Sequence, residues 1–276
     1  MNSVVDELLI WYEQQKRNLP WRNDINPYHV WISEIMLQQT RIEAVIPYYE
    51  RFMKELPIIS SLASVDEDFL MKLWEGLGYY NRARNLKKAA IKIMNEYDGI
   101  FPNTYSEIIK LPGIGEYTAS AISSICFGEK QVTVDGNVMR VFTRFYNDSS
   151  NISKNNTKKK IHDKLLSILP VDVGNFNQAL MELGEVVCIP NGIPKCNDCP
   201  LRRSCQSYKN SNYFLYPVKD DKKVKEEIEM TILLLIWKNK VFVRKRKQAG
   251  LLHGLYEFPN IVGYKSMSEI EKLSSQ

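Results

Sequence analysis

The chain is predicted to be mainly α-helical, with a small strand-bearing segment at its C-terminal end. Three observations carry this. Apolar residues recur at helical spacing in ten segments before residue 205. Four cysteines then fall within eighteen residues. After them the sequence turns polar and charged, and two short alternating runs follow.

The elements follow in order. Residues 4–15 read as an amphipathic helix; Asp6 and Glu7 in its first half argue against a signal peptide. Pro20 and Pro27 punctuate the chain before helices at 28–39 and 41–55, and Pro57 follows them. A helix at 67–76 stops at Gly76 and Gly78, and one at 82–97 stops before Gly99 and Pro102. A short helix at 105–110 runs into Pro112 and Gly113, and helices at 116–127 and 136–146 follow. Residues 147–160 are rich in Lys, Asn and Ser and read as a loop entering a helix at 157–168. Beyond Pro170 and Gly174 the last helix spans 175–187. Residues 206–227 read as a linker, and 228–237 and 241–247 as two strands around Lys238-Asn239-Lys240. A lone hairpin is marginal in water, so the segment 228–276 is expected to be an incomplete second domain.

Composition narrows the class. Of the 276 residues 44% are hydrophobic and 25% charged, ordinary for a folded protein, and the net charge is +5. A mildly basic balance suits a polyanionic partner without requiring one. No run of apolar residues is long enough for a transmembrane helix, and a reducing cytosol is the expected compartment.

Cys188, Cys196, Cys199 and Cys205 form the pattern C-x7-C-x2-C-x5-C. In a reducing compartment such a group is better explained by a ligand than by disulfides. Four thiolates suit a tetrahedral zinc or an iron–sulfur cluster, and spacing leaves both open. The bland alternative is four buried apolar side chains, the reading adopted for Cys126.

Leu111-Pro112-Gly113-Ile114-Gly115 joins two helices. Two glycines around one apolar residue allow a tight hairpin and uncover amides at the next helix start. Such amides attract phosphate; an ordinary helix–turn–helix joint is the alternative.

Taken together, LPGIG, Val134-Asp135-Gly136-Asn137-Val138-Met139-Arg140 and the four cysteines resemble the helix-hairpin-helix DNA glycosylases that carry a [4Fe–4S] cluster. Four further stretches are similar to the MutY-type adenine DNA glycosylases within that group. They are Leu19-Pro20-Trp21-Arg22, the string from Trp31 to Thr40 (WISEIMLQQT), the strings WEGLGYY and RARNL between Trp74 and Leu86, and AGLLHGLYEFP from Ala249 to Pro259. The resemblance implies a two-lobed helical fold over 1–205 with a cluster loop at 188–205. It also implies a linker at 206–227 and a partial α+β Nudix-like domain at 228–276.

It further implies base excision repair: hydrolysis of the N-glycosidic bond of adenine mispaired with 8-oxoguanine or guanine. Glu34 matches the general acid, whose pKa burial should raise. Asp135 matches the second carboxylate, expected to stay ionised; as a lone residue it also reads as a helix N-cap. Asn137 matches a residue that orients Asp135 or the water. Tyr117 stands where bifunctional relatives of the endonuclease III type carry a Schiff-base lysine, so a monofunctional enzyme leaving an abasic site is expected. Gln38, Gln39 and Tyr79 are expected to fill the opened base stack, with Leu77 and Thr40 nearby; core positions for Leu77 and Tyr79 and a solvated glutamine pair are the alternatives. Arg22, among the DNA-binding residues, is expected to pair within the catalytic pocket, and Gly113 and Gly115 are expected on the phosphate. Arg82, Arg84, Lys87, Lys88, Arg202 and Arg203 are candidate backbone contacts.

Two departures stand out. The family usually places six residues between its first two cysteines, and this chain has seven; a [4Fe–4S] cluster on Cys188, Cys196, Cys199 and Cys205 is still the expectation. Only the opening of the family's MutT-like domain is recognisable, so weaker discrimination for 8-oxoguanine is expected. The expected partner is duplex DNA with such mispairs, bound by a monomer in a bacterial cytoplasm, at the nucleoid. A lesion-binding protein without activity and a pyrimidine-lesion glycosylase are the competing readings.

Overall fold

The structure, a computed structural model, describes residues 3–221, 227–246 and 252–274. It divides into two units, Met1–Asp220 and Asp221–Gln276.

The first unit is helical throughout and holds two separate apolar cores. The helices are α1 (Ser3–Gln15), α2 (Pro27–Leu37), α3 (Ile42–Glu55), α4 (Ile59–Ser64), α5 (Glu67–Trp74), α6 (Asn81–Glu96), α7 (Tyr105–Ile108), α8 (Glu116–Phe127), α9 (Gly136–Tyr146), α10 (Asn155–Leu166), α11 (Val173–Val186) and α12 (Gln206–Lys209). Side-chain caps set several of the starts: Asn26, Asp66, Asp135 and Asp172 each accept a backbone N–H from the first turn. Gly128 and Asn147 end α8 and α9 in the left-handed conformation that such caps require.

One core gathers α2 to α8 around Trp31, Phe52, Trp74 and Ile93, all fully buried. The other gathers α1, α9, α10 and α11 around Leu8, Tyr12, Ile161 and Phe176. The chain therefore starts in the second lobe, builds the first from Leu19 to Ile122, and returns at Val132. The helix boundaries agree with the periodicity to within a few residues. The exception is α4, six residues with three serines, whose Leu62 is fully buried and which packs against α6.

Residues 206–220, which read as a linker from their polarity, belong to the helical unit. The reason is a set of tertiary hydrogen bonds that composition does not show. The guanidinium of Arg144 donates to the carbonyls of Tyr213 and Tyr216, at 3.2 and 3.1 Å. The Ser207 hydroxyl, fully buried, donates to Asn147 Oδ1. Residues 222–226 of that stretch lie outside the described residues.

The second unit contains three short antiparallel ladders and one helix. Strand β1 (Met230–Ile232) pairs with β6 (Asn260–Val262), β2 (Ile236–Trp237) with β3 (Lys240–Val241), and β4 (Arg244–Lys245) with β5 (Tyr256–Glu257). The turn at Lys238 and Asn239 is as expected, both residues at positive φ, which suits a two-residue hairpin. The expected long strand at 228–237 is instead split, and its first half turns to a partner thirty residues away. The expectation for 241–247 holds at Val241 and Arg244–Lys245, while Lys247 and the opening residues Ala249, Gly250 and Leu251 of the AGLLHGLYEFP string lie outside the described residues. Helix α13 (Met267–Ser274) closes the unit. None of the described helices is long and apolar enough to cross a membrane.

Candidate active site

A cavity of about 610 Å³ opens where the two lobes meet, within the volume range of small-molecule sites. Helix α2 supplies Glu34, α8 supplies Tyr117, the start of α9 supplies Asp135 and Asn137, and α11 supplies Met181 and Glu182. Trp21 and Arg22 come from the short 3-10 turn after α1. Residues scattered over 160 positions thus share one wall.

Glu34 is 9% exposed, on a helix whose neighbours are almost all apolar. Burial raises its pKa from 4.5 to about 7; the Tyr117 hydroxyl opposes the shift, and Asp135 adds to it. Desolvation disfavours the charged carboxylate, so Glu34 keeps its proton near neutrality, as its sequence setting predicts. Tyr117 donates its hydroxyl to Met181 Sδ at 3.0 Å, and burial holds its own pKa far up.

Asp135 is the N-cap of α9 and also lines the cavity. Its Oδ1 accepts the Val138 amide at 2.7 Å and its Oδ2 accepts the Asn137 side-chain amide at 3.0 Å. Burial raises its pKa, and these donors together with Arg140 oppose that rise. Two donors on two oxygens favour the ionised form. The capping and catalytic readings of Asp135 are therefore compatible in one geometry.

Sequence reasoning missed a buried ion group beside these carboxylates. Glu182 is 1% exposed and accepts Arg17 Nε at 2.6 Å and Arg22 Nη2 at 2.9 Å. A signal was present: Glu182 sits in the apolar stripe of α11 with Ala179, Leu180 and Leu183, where an unpaired carboxylate would be costly. Arg22, expected to pair within the pocket, spends one donor on Glu182 and another on the Arg17 carbonyl.

The expected DNA contacts divide. Gln39 and Tyr79 are exposed, Tyr79 by 63%, and both hold positive φ, 59° and 48°. For side-chain-bearing residues this is strained backbone of the kind found at functional turns. Gln38 is half-buried, with Nε2 on Thr118 Oγ1 at 3.4 Å, and Thr40 lines the cavity. Leu77 is a correction: it is 7% exposed and packs into the first core, because the Gly76–Gly78 turn points it inward. Arg82 is another, its side chain committed to protein carbonyls. Arg84 pairs with Glu67.

In the hairpin, Gly113 has φ +78° and a Cβ there would lie 2.6 Å from Asn85 Cβ, so no other residue fits. Gly115 is exposed, at ordinary φ, with open space where its Cβ would be. The first turn of α8 thus presents its amides uncovered.

Cys188, Cys196, Cys199 and Cys205 all line one small cavity, with Arg144 and Arg202 at its edge. Arg144 Nη1 donates to Cys188 Sγ at 3.4 Å. Among the described residues no three His, Cys, Asp or Glu side chains form a ready-made site for a single metal ion. Four thiols converging on one cavity beside two cations fit a group that takes four thiolates. Cys126 is half-buried and packs against the first core.

Residues 32–169 match the family described as HhH-GPD superfamily base excision DNA repair protein. An adenine DNA glycosylase from Buchnera aphidicola subsp. Baizongia pistaciae is 43% identical over 258 residues, which cover 92% of this chain and 73% of that one. The Homo sapiens adenine DNA glycosylase is 41% identical over 210 residues, 72% of this chain and 38% of its own. Among solved structures, a thermostable thymine-DNA glycosylase superimposes with a TM-score of 0.67 at 28% identity, covering 75% of this chain and 95% of that one. Endonuclease III trapped in a covalent DNA intermediate gives 0.63 at 25% identity, over 75% and 95%.

Proposed function

The chain belongs to the HhH-GPD superfamily of base excision DNA repair proteins, among its adenine DNA glycosylases, and we propose which of its residues carry out the excision and on which mispair. It is an adenine DNA glycosylase of base excision repair that binds DNA. The finer reading is hydrolysis of adenine opposite 8-oxoguanine or guanine, leaving an abasic site.

Adenine departs poorly as an anion, so cleaving the C1′–N9 bond needs a proton on the base and negative charge beside the sugar. Glu34, protonated near neutrality, gives its proton to a ring nitrogen. The bond's electron pair leaves with the base. Asp135, ionised and fixed by Val138 and Asn137, faces the oxocarbenium-like sugar. Water adds to C1′, and a carboxylate of the pair takes its proton. Tyr117 offers a hydroxyl rather than an amine, which supports a monofunctional reaction. Glu182, Arg17 and Arg22 present fixed polar groups to the edge of the everted base.

Gln39 and Tyr79 fill the opened stack, and the Gly113–Gly115 hairpin holds a backbone phosphate. Cys188, Cys196, Cys199 and Cys205 would hold a [4Fe–4S] cluster that pins the loop between α11 and α12. The segment from residue 228 is the start of a Nudix-like domain. The enzyme acts as a monomer on chromosomal DNA in a bacterial cytoplasm.

The observation that carries this reading is the pair of carboxylates on one cavity: burial raises both pKa values, Glu34 to about 7, while the Val138 and Asn137 donors and Arg140 oppose the rise at Asp135. The test is single-turnover excision from a duplex holding adenine opposite 8-oxoguanine, with and without alkali. Breaks appearing mainly after alkali, and lost in Glu34→Gln, are expected. Breaks of equal yield without alkali would refute the monofunctional assignment.

A further inference from the structure

Two exposed residues with strained backbone, Gln39 and Tyr79, lie forty positions apart in the sequence. One half-buried side chain joins their turns. Arg82, in the first turn of α6, places Nη1 at 2.7, 3.0 and 2.7 Å from the carbonyls of Ile35, Met36 and Gln38. Its Nη2 donates to the carbonyls of Leu77 and Gly78 at 3.1 and 3.2 Å. The guanidinium also lies over the rings of Trp74 and Tyr79, 5.4 and 5.6 Å from their centroids.

The carbonyls of Ile35 and Met36 belong to the last turn of α2, the helix that carries Glu34. Helix ends leave such carbonyls without internal partners. Here a single planar fork satisfies them together with those of the second turn. Both terminal nitrogens are used, and Nε, buried, finds no hydrogen-bond partner. The one donor left over, Nε, is buried away from solvent and so from a phosphate. A residue recruited for charge would not be arranged this way.

We propose that Arg82 is a positioning residue that clamps the 38–39 turn to the 77–79 turn and to the end of α2. The two wedge residues then enter the duplex as one rigid unit, in register with Glu34. The inference rests on the reading of Gln39 and Tyr79 as the wedge. Lysine cannot substitute, because three donors on one atom do not span five carbonyls on two turns.

The test uses the full chain and a duplex with 2-aminopurine beside the target adenine, whose fluorescence rises when the stack opens. Arg82→Lys, Arg82→Gln, Gln39→Ala and Tyr79→Ala are compared for fluorescence, single-turnover excision and the salt dependence of binding. The clamp predicts that both Arg82 variants lose the fluorescence rise. Excision should slow by roughly ten- to a hundredfold, the scale of losing hydrogen bonds to a charged group. The slope of log affinity against log salt should stay unchanged. Full rescue by Arg82→Lys, or a slope lower by about one, would make Arg82 a phosphate contact and overturn the proposal. A normal fluorescence rise in the Arg82 variants, with loss in Gln39→Ala and Tyr79→Ala, would overturn the clamp alone. A normal rise in Gln39→Ala and Tyr79→Ala would remove the wedge reading itself. If Arg82→Gln fails to fold, by thermal melting, Arg82→Lys decides.

Discussion

Asp135 is joined to Cys188 through just two side chains. Asn137 donates to Asp135 Oδ2 at 3.0 Å and accepts from Arg140 Nη2 at 2.8 Å; Arg140 Nε then donates to the Cys188 carbonyl at 2.8 Å. The cysteine loop and the Asp135 carboxylate are therefore held by one guanidinium on α9. Arg140→Gln should leave Asn137 Oδ1 and the Gly184 carbonyl without their donor, and the Cys188 carbonyl with Arg144 alone, at about 1–3 kcal/mol for each buried group left unpaired. The expected outcome is at least a tenfold drop in single-turnover excision, together with lower iron content per chain. Normal excision with normal iron would show that the connection is incidental.

The pH dependence follows from Glu34. The general acid must be protonated, so kcat/KM should fall as pH rises through about 7. On the acid side Asp135 must be ionised, and its raised pKa places that limb above the usual carboxylate range. A profile without a falling limb near neutrality would exclude Glu34 as the acid.

The same shift has a stability consequence. Glu34 has a folded pKa of about 7 against 4.5, so between those values the folded state keeps a proton that the unfolded state releases. Stability is therefore lost as pH rises across that window, by about 3 kcal/mol once pH exceeds the folded value. Glu34→Gln removes the penalty. It should unfold at higher denaturant than the parent at pH 8, and this advantage should shrink toward pH 4.5. A variant that is inactive yet less stable at pH 8 would contradict this.

The helices were legible because each buries one face, and periodicity records that directly. That Glu34, Asp135 and Tyr117 belong together was legible through the strings around them, and all three line one cavity. Glu182 was not, since its partners Arg17 and Arg22 lie 165 and 160 positions away and no local pattern encodes the pairing. Leu77 and Tyr79 differ for a similar reason: a turn with glycines at 76 and 78 fixes which one faces the core, and only the fold shows that Leu77 does. Helix α4 was too short and too rich in serine to show a period. The β1–β6 ladder depends on a long-range pairing that alternation cannot specify.

Gly184 on α11 packs against Asn137 at the start of α9. A Cβ there would lie 2.6 Å from Asn137 Cβ and 3.2 Å from its Cα, and the Gly184 carbonyl already accepts Arg140 Nη2 at 2.8 Å. Gly184→Ala must push the start of α9 away, and overpacking of this kind costs about 1–3 kcal/mol. Excision should fall more than duplex binding, because the displaced groups hold Asp135 rather than the backbone. Equal losses in both would point to general unfolding instead.

The hairpin separates fold from function at two glycines. Gly113, at φ +78° and pressed on Asn85, has no room for a side chain, so Gly113→Ala should lower the thermal midpoint. Gly115 has ordinary φ and open space around it, so Gly115→Ala should leave the stability within about 0.5 kcal/mol of the parent. The added methyl would nonetheless stand over the amides at the start of α8, where a phosphate must approach to hydrogen-bond distance. Duplex affinity should therefore fall in Gly115→Ala while melting does not. Unchanged affinity would mean that the phosphate is held elsewhere and that these amides serve only to start the helix.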